Sequence, residues 1–345
     1  MRSPLTTLCY VEKDGCYLML HRVSKKHDVN KDKWIGIGGH FEGDESPEEC
    51  LLREAYEETG LHLTSWKFRG IVTFVSMGVD LEYMCLYTAD GFDGELTSCN
   101  EGVLEWVPKQ EVTKLNLWEG DKIFLKLMAE DAPFFSMKLM YQGDMLTYAA
   151  LNGRRMELLD VCDENGELTG VVTERSVAHA AGVMHRTAHI WIVRQGAYGD
   201  WDVLLQKRSM GKDSFPGCYD TSSAGHVEAG DEYLESAQRE LREELGIEAS
   251  EEELEYAGRY DSGDIYAKFR GRPFHDREIT AVYVYRRPVD AASLALQPEE
   301  VDSVRWMSYG EVRRAVEAGD PRFCINPEGF RLLGRYLEEH PRQPW

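Results

Sequence analysis

"GGHFEGDESPEECLLREAYEETGL", running from Gly38 to Leu61, is the stretch on which the reading of this chain turns. Ser46 and Pro47, with Glu49 three residues past the serine, start a helix with a capping box, and Gly60 stops it. The spacing therefore predicts a helix of about three turns. At 100° per residue, Glu54, Glu57 and Glu58 fall in one sector, opposite Leu52, Ala55, Tyr56 and Thr59. Like charges three and four residues apart on a helix repel. A solvated face would interleave lysine or arginine with its glutamates. A face that gathers carboxylates instead suits hard divalent cations such as Mg²⁺ or Mn²⁺, which prefer oxygen ligands and remove the repulsion.

The segment occurs twice. Displacing the chain by 186 residues lays it on "AGHVEAGDEYLESAQRELREELGI", which begins at Ala224. Gly39, His40, Glu42, Glu49, Arg53, Glu54, Glu57, Glu58 and Gly60 then meet identical residues between Gly225 and Gly246. Glu240, Glu243 and Glu244 share a helix face in the same way, opposite Leu234, Leu241 and Leu245. The surroundings repeat as well. "LTTLCYVEKDGCYLMLHRV" reads as strand, turn at Lys13 to Gly15, strand, and "RTAHIWIVRQGAYGDWDVLLQKRS" as strand, turn near Gly196 to Gly199, strand. Arg22 falls on Arg208. Further strands such as "GIVTFVSM" and "ITAVYVYRR" and terminal helices follow in each half, and this interleaving favours an α/β fold in which helices cover both faces of a sheet. The expected domains are residues 1–152 and 153–345, parted near "LNGRR", Leu151 to Arg155.

Composition agrees with two domains. A chain of 345 residues with 43% hydrophobic and 11% aromatic content can bury two cores. A net charge of -22 argues against a protein whose main business is gripping duplex nucleic acid, which needs a basic face, while an anionic small molecule would need divalent metal and a local cluster of Lys and Arg. The eight cysteines are scattered, with no CxxC pair and no secretory leader in front of them. The expectation is reduced thiols in a cytoplasmic protein. No apolar run approaches the roughly 18 residues of a membrane span.

The run Gly39, five residues, Glu45, seven residues, Arg53-Glu54, an apolar residue, any residue, Glu57-Glu58, any residue, Gly60-Leu61 resembles the Nudix box, GX5EX7REUXEEXGU, at every defined position. Gly225 to Ile247 matches it too, except that Asp231 stands where glutamate is expected. The resemblance implies two α/β/α sandwiches with mixed sheets. It also implies a metal-dependent pyrophosphohydrolase acting on a nucleoside diphosphate linked to some other group. It gives metal contacts to the Gly39 carbonyl, Glu54, Glu57 and Glu58, and to Glu240, Glu243 and Glu244. Glu57, Glu58 and Glu244 become catalytic candidates. Glu45 with Arg53, and Asp231 with Arg239, take a structural role in orienting the loop. Asp231, shorter by one methylene, is also a candidate cap for the helix after it.

Residues 1 to 150 are similar to the MutT-like 8-oxo-dGTP diphosphatases through "RGIVTFVS", "NEGVLEWVPKQEV", "LNLWEGDKIF" and "APFFSMKLMYQGD". Glu101, five positions before Trp106, matches an acidic residue that this branch uses beside the metals, as ligand or general base. Trp118 and Asp121 match a tryptophan and an aspartate that hold the purine. Ile35 stands where the mammalian member has a base-contacting asparagine, and Gly120 replaces a second aspartate. Arg22, Ile35, Trp118 and Asp121 are the candidate substrate residues.

Residues 156 to 345 resemble the isopentenyl-diphosphate-isomerase-like branch through "LLDVCDENGELTG", "MHRTAHIWIV", "LLQKRSMGKDSFPGCYDTSSAGHVEAGD" and "DREITAVYVY". True isomerases have a cysteine immediately before the Gly-His of this stretch, where Ala224 stands, and Cys218 lies six residues upstream. His185, His226 and Glu278 fall on isomerase-type metal positions, with His179 one residue out of register. The leading expectation is hydrolysis of a nucleoside triphosphate such as an oxidised dGTP to monophosphate and pyrophosphate in the first half. The second half would act on another diphosphate. A nucleotide-binding sensor with little turnover and an isomerase in the second half are the alternatives. The expected partners are small nucleotides or diphosphates, with no membrane, and a homodimer is left open.

Overall fold

The computed structural model describes residues 4–24, 28–76, 81–196 and 200–340. The predicted turn at Gly196 to Gly199 lies mostly outside them, as does Met77 at the end of "GIVTFVSM". The chain divides into two compact units, Met1–Leu158 with Val172–Glu174, and Leu159–Val171 with Arg175–Trp345.

The first unit holds β1 (Leu5–Lys13), β2 (Cys16–His21), β3 (Trp34–Ile35), α1 (Pro47–Thr59), β4 (His62–Ser76) and β5 (Leu81–Asp93). It continues through β6 (Val103–Pro108), α2 (Lys109–Val112), α3 (Glu119–Ala129), β7 (Phe135–Gln142), β8 (Met145–Leu151) and β9 (Arg154–Arg155). Its sheet runs β3-β2-β1-β5-β4-β7-β8-β9, with β6 on β2. The sheet is mixed, because β1 pairs parallel with β5 and β4 parallel with β7, while the hairpins pair antiparallel. Alternation along β1 decides the two faces. Cys9 and Val11 join Leu51 and Ala55 of α1 in one core, and Tyr10 turns the other way against Phe124 of α3, with ring centroids 6.0 Å apart.

The second unit holds β10 (Leu158–Cys162) apart from Leu158, β11 (Leu168–Glu174) apart from Val172–Glu174, α4 (Arg175–Ala181), β12 (His185–Gln195), β13 (Trp201–Arg208), β14 (Tyr219–Asp220), β15 (Ser223–His226) and α5 (Tyr233–Leu245). After these come β16 (Leu254–Asp261), β17 (Ile265–Phe269), β18 (Arg272–Asp276), β19 (Glu278–Tyr285), β20 (Val301–Ser308), α6 (Tyr309–Glu317) and α7 (Pro327–Glu339). β12 is the hub, antiparallel to β10, β13 and β15 and parallel to β19, while β17 and β18 form a separate hairpin. One face buries Ala188, Ile190 and Ile192 against Ala237, Leu241 and Leu245 of α5. The other buries Trp191 and Val193 against Phe330, Leu333 and Leu337 of α7.

Helix α1 has the predicted ends. In α1, Ser46 accepts from the Glu49 N–H, Glu49 reaches back to the Ser46 N–H, and Gly60 closes the helix with φ 76°. The buried side of α1 differs from the predicted one, comprising Cys50, Leu51, Ala55, Glu58 and Thr59. Tyr56 is exposed and stacks on His62, while Glu58 is drawn into the buried side, where it accepts from the Gly38 N–H. The cap of α5 is Glu232, whose N–H donates to Glu235, so Asp231 lies one residue too early to cap it. Among the described residues, none of the eight cysteines is in a disulfide. Among the described residues, no helix is long and apolar enough to cross a membrane.

Candidate functional site

In the first unit the loop before α1 is folded onto the carboxylate face by Arg53. Its Nε and Nη2 donate to the two oxygens of Glu45 at 2.6 and 2.9 Å, and Nη2 also donates to the His40 carbonyl at 3.0 Å. Nη1 reaches Glu54 at 2.7 Å and Glu57 at 3.3 Å. This fork-to-fork pair is the strong form of an ion pair, and it holds the Glu45 carboxyl down at about 2. Glu58, only 7% exposed, accepts from the Gly38 N–H at 3.0 Å. A Cβ on Gly39 would stand 2.3 Å from Glu54 Oε1, so the close seat of that carboxylate against the loop backbone requires glycine. Glu57 is the exposed member, with its side chain 58% accessible.

The second unit repeats the arrangement with one flaw. A Cβ on Gly225 would meet the Glu240 carboxyl carbon at 2.1 Å, Arg239 reaches Glu240 at 2.8 Å and the His226 carbonyl at 3.1 Å, and Glu244 accepts from the Ala224 N–H at 3.1 Å. Glu243 lies 3.9 Å from Arg239. Asp231 falls short. Its nearer oxygen is 4.0 Å from Arg239 Nε, and among the described residues that buried nitrogen has no hydrogen-bond partner. Glu228, 3.5 Å from Arg239 Nη1, makes up part of the deficit. Burial raises the Glu244 carboxyl above its ordinary range.

The remaining first-unit candidates are dispersed around two places. Arg22 pairs with Asp28 at 2.7 Å and with Glu101, so Glu101 meets the neighbour of β2. Trp118 is 4% exposed, donates from Nε1 to Asn30 at 2.8 Å, and meets Phe74 and Tyr141 edge-on. Lys33 Nζ lies 4.8 Å over its ring. Asp121 is buried at the start of α3, and desolvation pushes its carboxyl up to about 8. At Gly120 a Cβ would stand 2.5 Å from Leu139 and 2.6 Å from the Tyr141 hydroxyl, which already accepts from the Gly120 N–H at 2.8 Å. A second aspartate has no room there. Ile35 is half-buried in β3 and packs against the core of α1.

In the second unit, His179, His185, His226 and Glu278 offer ligand atoms that all lie within 4.8 Å of one another. The histidine one residue out of register is therefore part of the cluster. His179 comes from the last turn of α4, where Val183 N–H closes onto Ala178 at 3.0 Å and Phe274 packs on its ring at 4.9 Å, and this turn absorbs the difference in spacing. The His185 Nδ1 bonds the Val183 carbonyl at 2.8 Å, which turns Nε2 toward Glu278 and Asp276, each 3.8 Å away. His179 Nε2 and Asp276 Oδ1 are buried without hydrogen-bond partners among the described residues and stand 3.5 Å apart. Burial holds His179 below its ordinary range and raises Asp276 and Glu278 above theirs. The two buried atoms without hydrogen-bond partners, set beside His185, His226 and Glu278, fit a divalent cation taking imidazole and carboxylate together.

Two cations were not anticipated as site residues. Arg208, 3.0 Å from Asp220, and Lys212, paired with Glu300, lie in the electrostatic reach of Glu244, and Lys212 also in that of Glu240. Asp276 was also missed. Its place two residues before Glu278 in extended backbone was the available signal.

The chain matches the NUDIX domain family over residues 3–128 and 183–324. It is 37% identical over 182 residues to Nudix hydrolase 3 of Arabidopsis thaliana, an overlap of 51% of this chain and 23% of that longer protein. It is 30% identical over 159 residues to the isopentenyl-diphosphate Delta-isomerase of Jannaschia sp., covering 46% of this chain and 82% of that one. Among solved structures, the MutT protein from Bacillus halodurans is similar at 28% identity and a TM-score of 0.39, covering 43% of this chain and 97% of that one.

Proposed function

This chain belongs to the Nudix family, and from that premise we propose that it carries two metal-dependent diphosphate-cleaving sites of different specificity. The observation that carries the reading is the seat formed twice, in which a helix carboxylate clamped by an arginine lies against a glycine backbone, Glu54 at Gly39 and Glu240 at Gly225, while Glu58 and Glu244 bond the N–H of the residue before each glycine. Gly39, Glu54, Glu57 and Glu58, with Glu101, would hold Mg²⁺ or Mn²⁺ in the first unit. Glu240, Glu243 and Glu244 would do so in the second, beside the histidine cluster. When bound, such a cation neutralises diphosphate charge and acidifies water. The chain's own groups do the rest. Arg53 and Arg239 fix the loop, the Gly38 and Ala224 N–H groups orient Glu58 and Glu244, and Glu58 or Glu101 accepts a proton from the attacking water.

For the first unit we assign purine nucleoside triphosphates, including oxidised ones, as substrates and monophosphate with pyrophosphate as products. Asp121 supports this, since a carboxyl held neutral at pH 7 both donates and accepts at a base edge. Stacking on Trp118 requires Lys33 to move off the ring. For the second unit we assign a small diphosphate, gripped by Arg208 and Lys212. Ala224 removes the isomerase thiol, and Cys218 is occupied with the Pro321 carbonyl at 3.6 Å, so hydrolysis is favoured over isomerisation.

The test is product analysis of the full chain with Mg²⁺ across nucleoside triphosphates and prenyl diphosphates. Glu57→Gln should lower nucleotide cleavage by about 10²-fold or more and spare the second activity, and Glu243→Gln should do the reverse. A folded chain that cleaves no nucleotide contradicts the proposal.

A further inference from the structure

The β17–β18 hairpin touches the surroundings of the second unit's site at two places. At its base, Phe274 packs on His179, and His275 fills the space that a Cβ on Gly182 would need. At its tip, Phe269 meets Phe215 edge-on at 4.9 Å, and Arg270 reaches the loop that joins β13 to β14. The Nη2 of Arg270 donates to three successive carbonyls, those of Met210 at 3.1 Å, Gly211 at 3.0 Å and Lys212 at 3.4 Å. Three carbonyls gathered on one point bring the negative ends of their dipoles together, and a guanidinium, which carries only donors, satisfies them.

The turn that delivers this guanidinium runs against local preference. Phe269 pairs with Arg272, so Arg270 and Gly271 form a two-residue loop, and their φ of 49° and 83° belong to a type I′ turn. Asparagine, aspartate or glycine takes the first of those positions at little cost, whereas a long side chain is uncommon at positive φ. Arginine there has a reach that asparagine lacks. The guanidinium is exposed, so it fills no core and its loss leaves no cavity. Its bonds to the loop are what distinguish it.

What the loop carries is Lys212. Gln206 and Arg208 share a face of β13, and Gln206 Nε2 donates to Glu244 Oε2 at 3.5 Å, so that face looks onto the box helix. Arg208 holds the far side of the loop, donating to the Ser214 carbonyl at 3.2 and 3.1 Å. Ser209 N–H closes on the Glu300 carbonyl at 2.9 Å, and Lys212 pairs with the Glu300 side chain in the electrostatic reach of Glu244 and Glu240. We propose that Arg270 is a positioning residue of the second unit, which fixes the backbone from Met210 to Lys212 and so presets the Lys212 ammonium for a diphosphate at the carboxylate seat. The inference rests on the reading of Lys212 as a diphosphate ligand. Ordering the loop before the ligand arrives removes that entropy cost from binding. Arg270 acts through Lys212 and takes no part in the cleavage itself.

The experiment titrates methylenediphosphonate, whose P–C–P bridge water does not cleave, with Mg²⁺ into the full chain by calorimetry. Glu54→Gln and Glu57→Gln are present throughout to disable the first seat. Arg270→Asn removes the clamp and suits the turn, so the urea midpoint of the second unit should hold or rise. Binding should weaken about fivefold or more with Arg270→Asn and about tenfold or more with Lys212→Ala. In the Lys212→Ala background the effect of Arg270→Asn should shrink to within about twofold, which a merely structural loss would not do. Affinity within twofold of the parent in Arg270→Asn, a fallen midpoint, or an equal loss with and without Lys212 overturns the role of Arg270. Unchanged affinity in Lys212→Ala overturns the reading of Lys212 as a diphosphate ligand instead.

Discussion

Asp121 shows how a single side chain can carry a charge state that composition does not reveal. Burial pushes its carboxyl up to about 8 in the folded chain, far above the ordinary aspartate value of about 3.9. Between those values the folded state keeps a proton that the unfolded state has lost. The stabilisation is therefore complete below the ordinary carboxyl range and drains away as pH rises toward 8, at up to about 1.4 kcal/mol per pH unit. Asp121→Asn, neutral throughout, should flatten that slope in urea unfolding followed from pH 5 to 7, and a variant that keeps the parental slope would contradict the assignment. The residue types at this site were legible in the sequence, but their surroundings were not. Nothing in "NLWEGDKIF" shows that Trp118 meets Phe74 and Tyr141 edge-on, or that Tyr141 fills the space a second aspartate would need at Gly120, because those contacts come from strands distant in the chain.

The box helices with their loops behave as elements, and the two copies form a natural comparison. Glu45 spans the gap to Arg53 with both oxygens, whereas Asp231 stops 4.0 Å from Arg239 Nε. One methylene accounts for the difference. Asp231→Glu should therefore give Arg239 the missing bond and raise the stability of the second unit by about 1–2 kcal/mol in denaturant unfolding. No gain would mean that Glu228 already serves in its place. The ends of α1 and the pairing of the two copies were readable from spacing alone, since capping and the 3.6-residue period are local, whereas the cap of α5 and the burial of Glu58 were not. The position of His179 was not. A fixed offset from His185 places it outside the cluster, but the turn after α4 and the packing of Phe274 bring it back. Local rules failed where tertiary contacts set the geometry.

At the scale of the whole chain, duplication has yielded two seats with different surroundings. The first unit also carries a buried carboxyl, Asp121, and a buried tryptophan, while the second carries three histidines, two acids and a pair of cations. The mixed sheets follow from the strand-helix interleaving seen in the sequence, while the proposed difference in specificity rests on side chains that flank the repeated segment. Common to both is the claim that helix carboxylates gathered against a glycine backbone exist to hold divalent cations. Calorimetric titration of Mn²⁺ into the full chain and into a Glu54→Gln, Glu57→Gln variant tests this most directly. The account predicts that the variant keeps its circular dichroism and its second-unit binding but loses first-unit affinity by about tenfold or more, and an unchanged Mn²⁺ isotherm in the folded variant would contradict it.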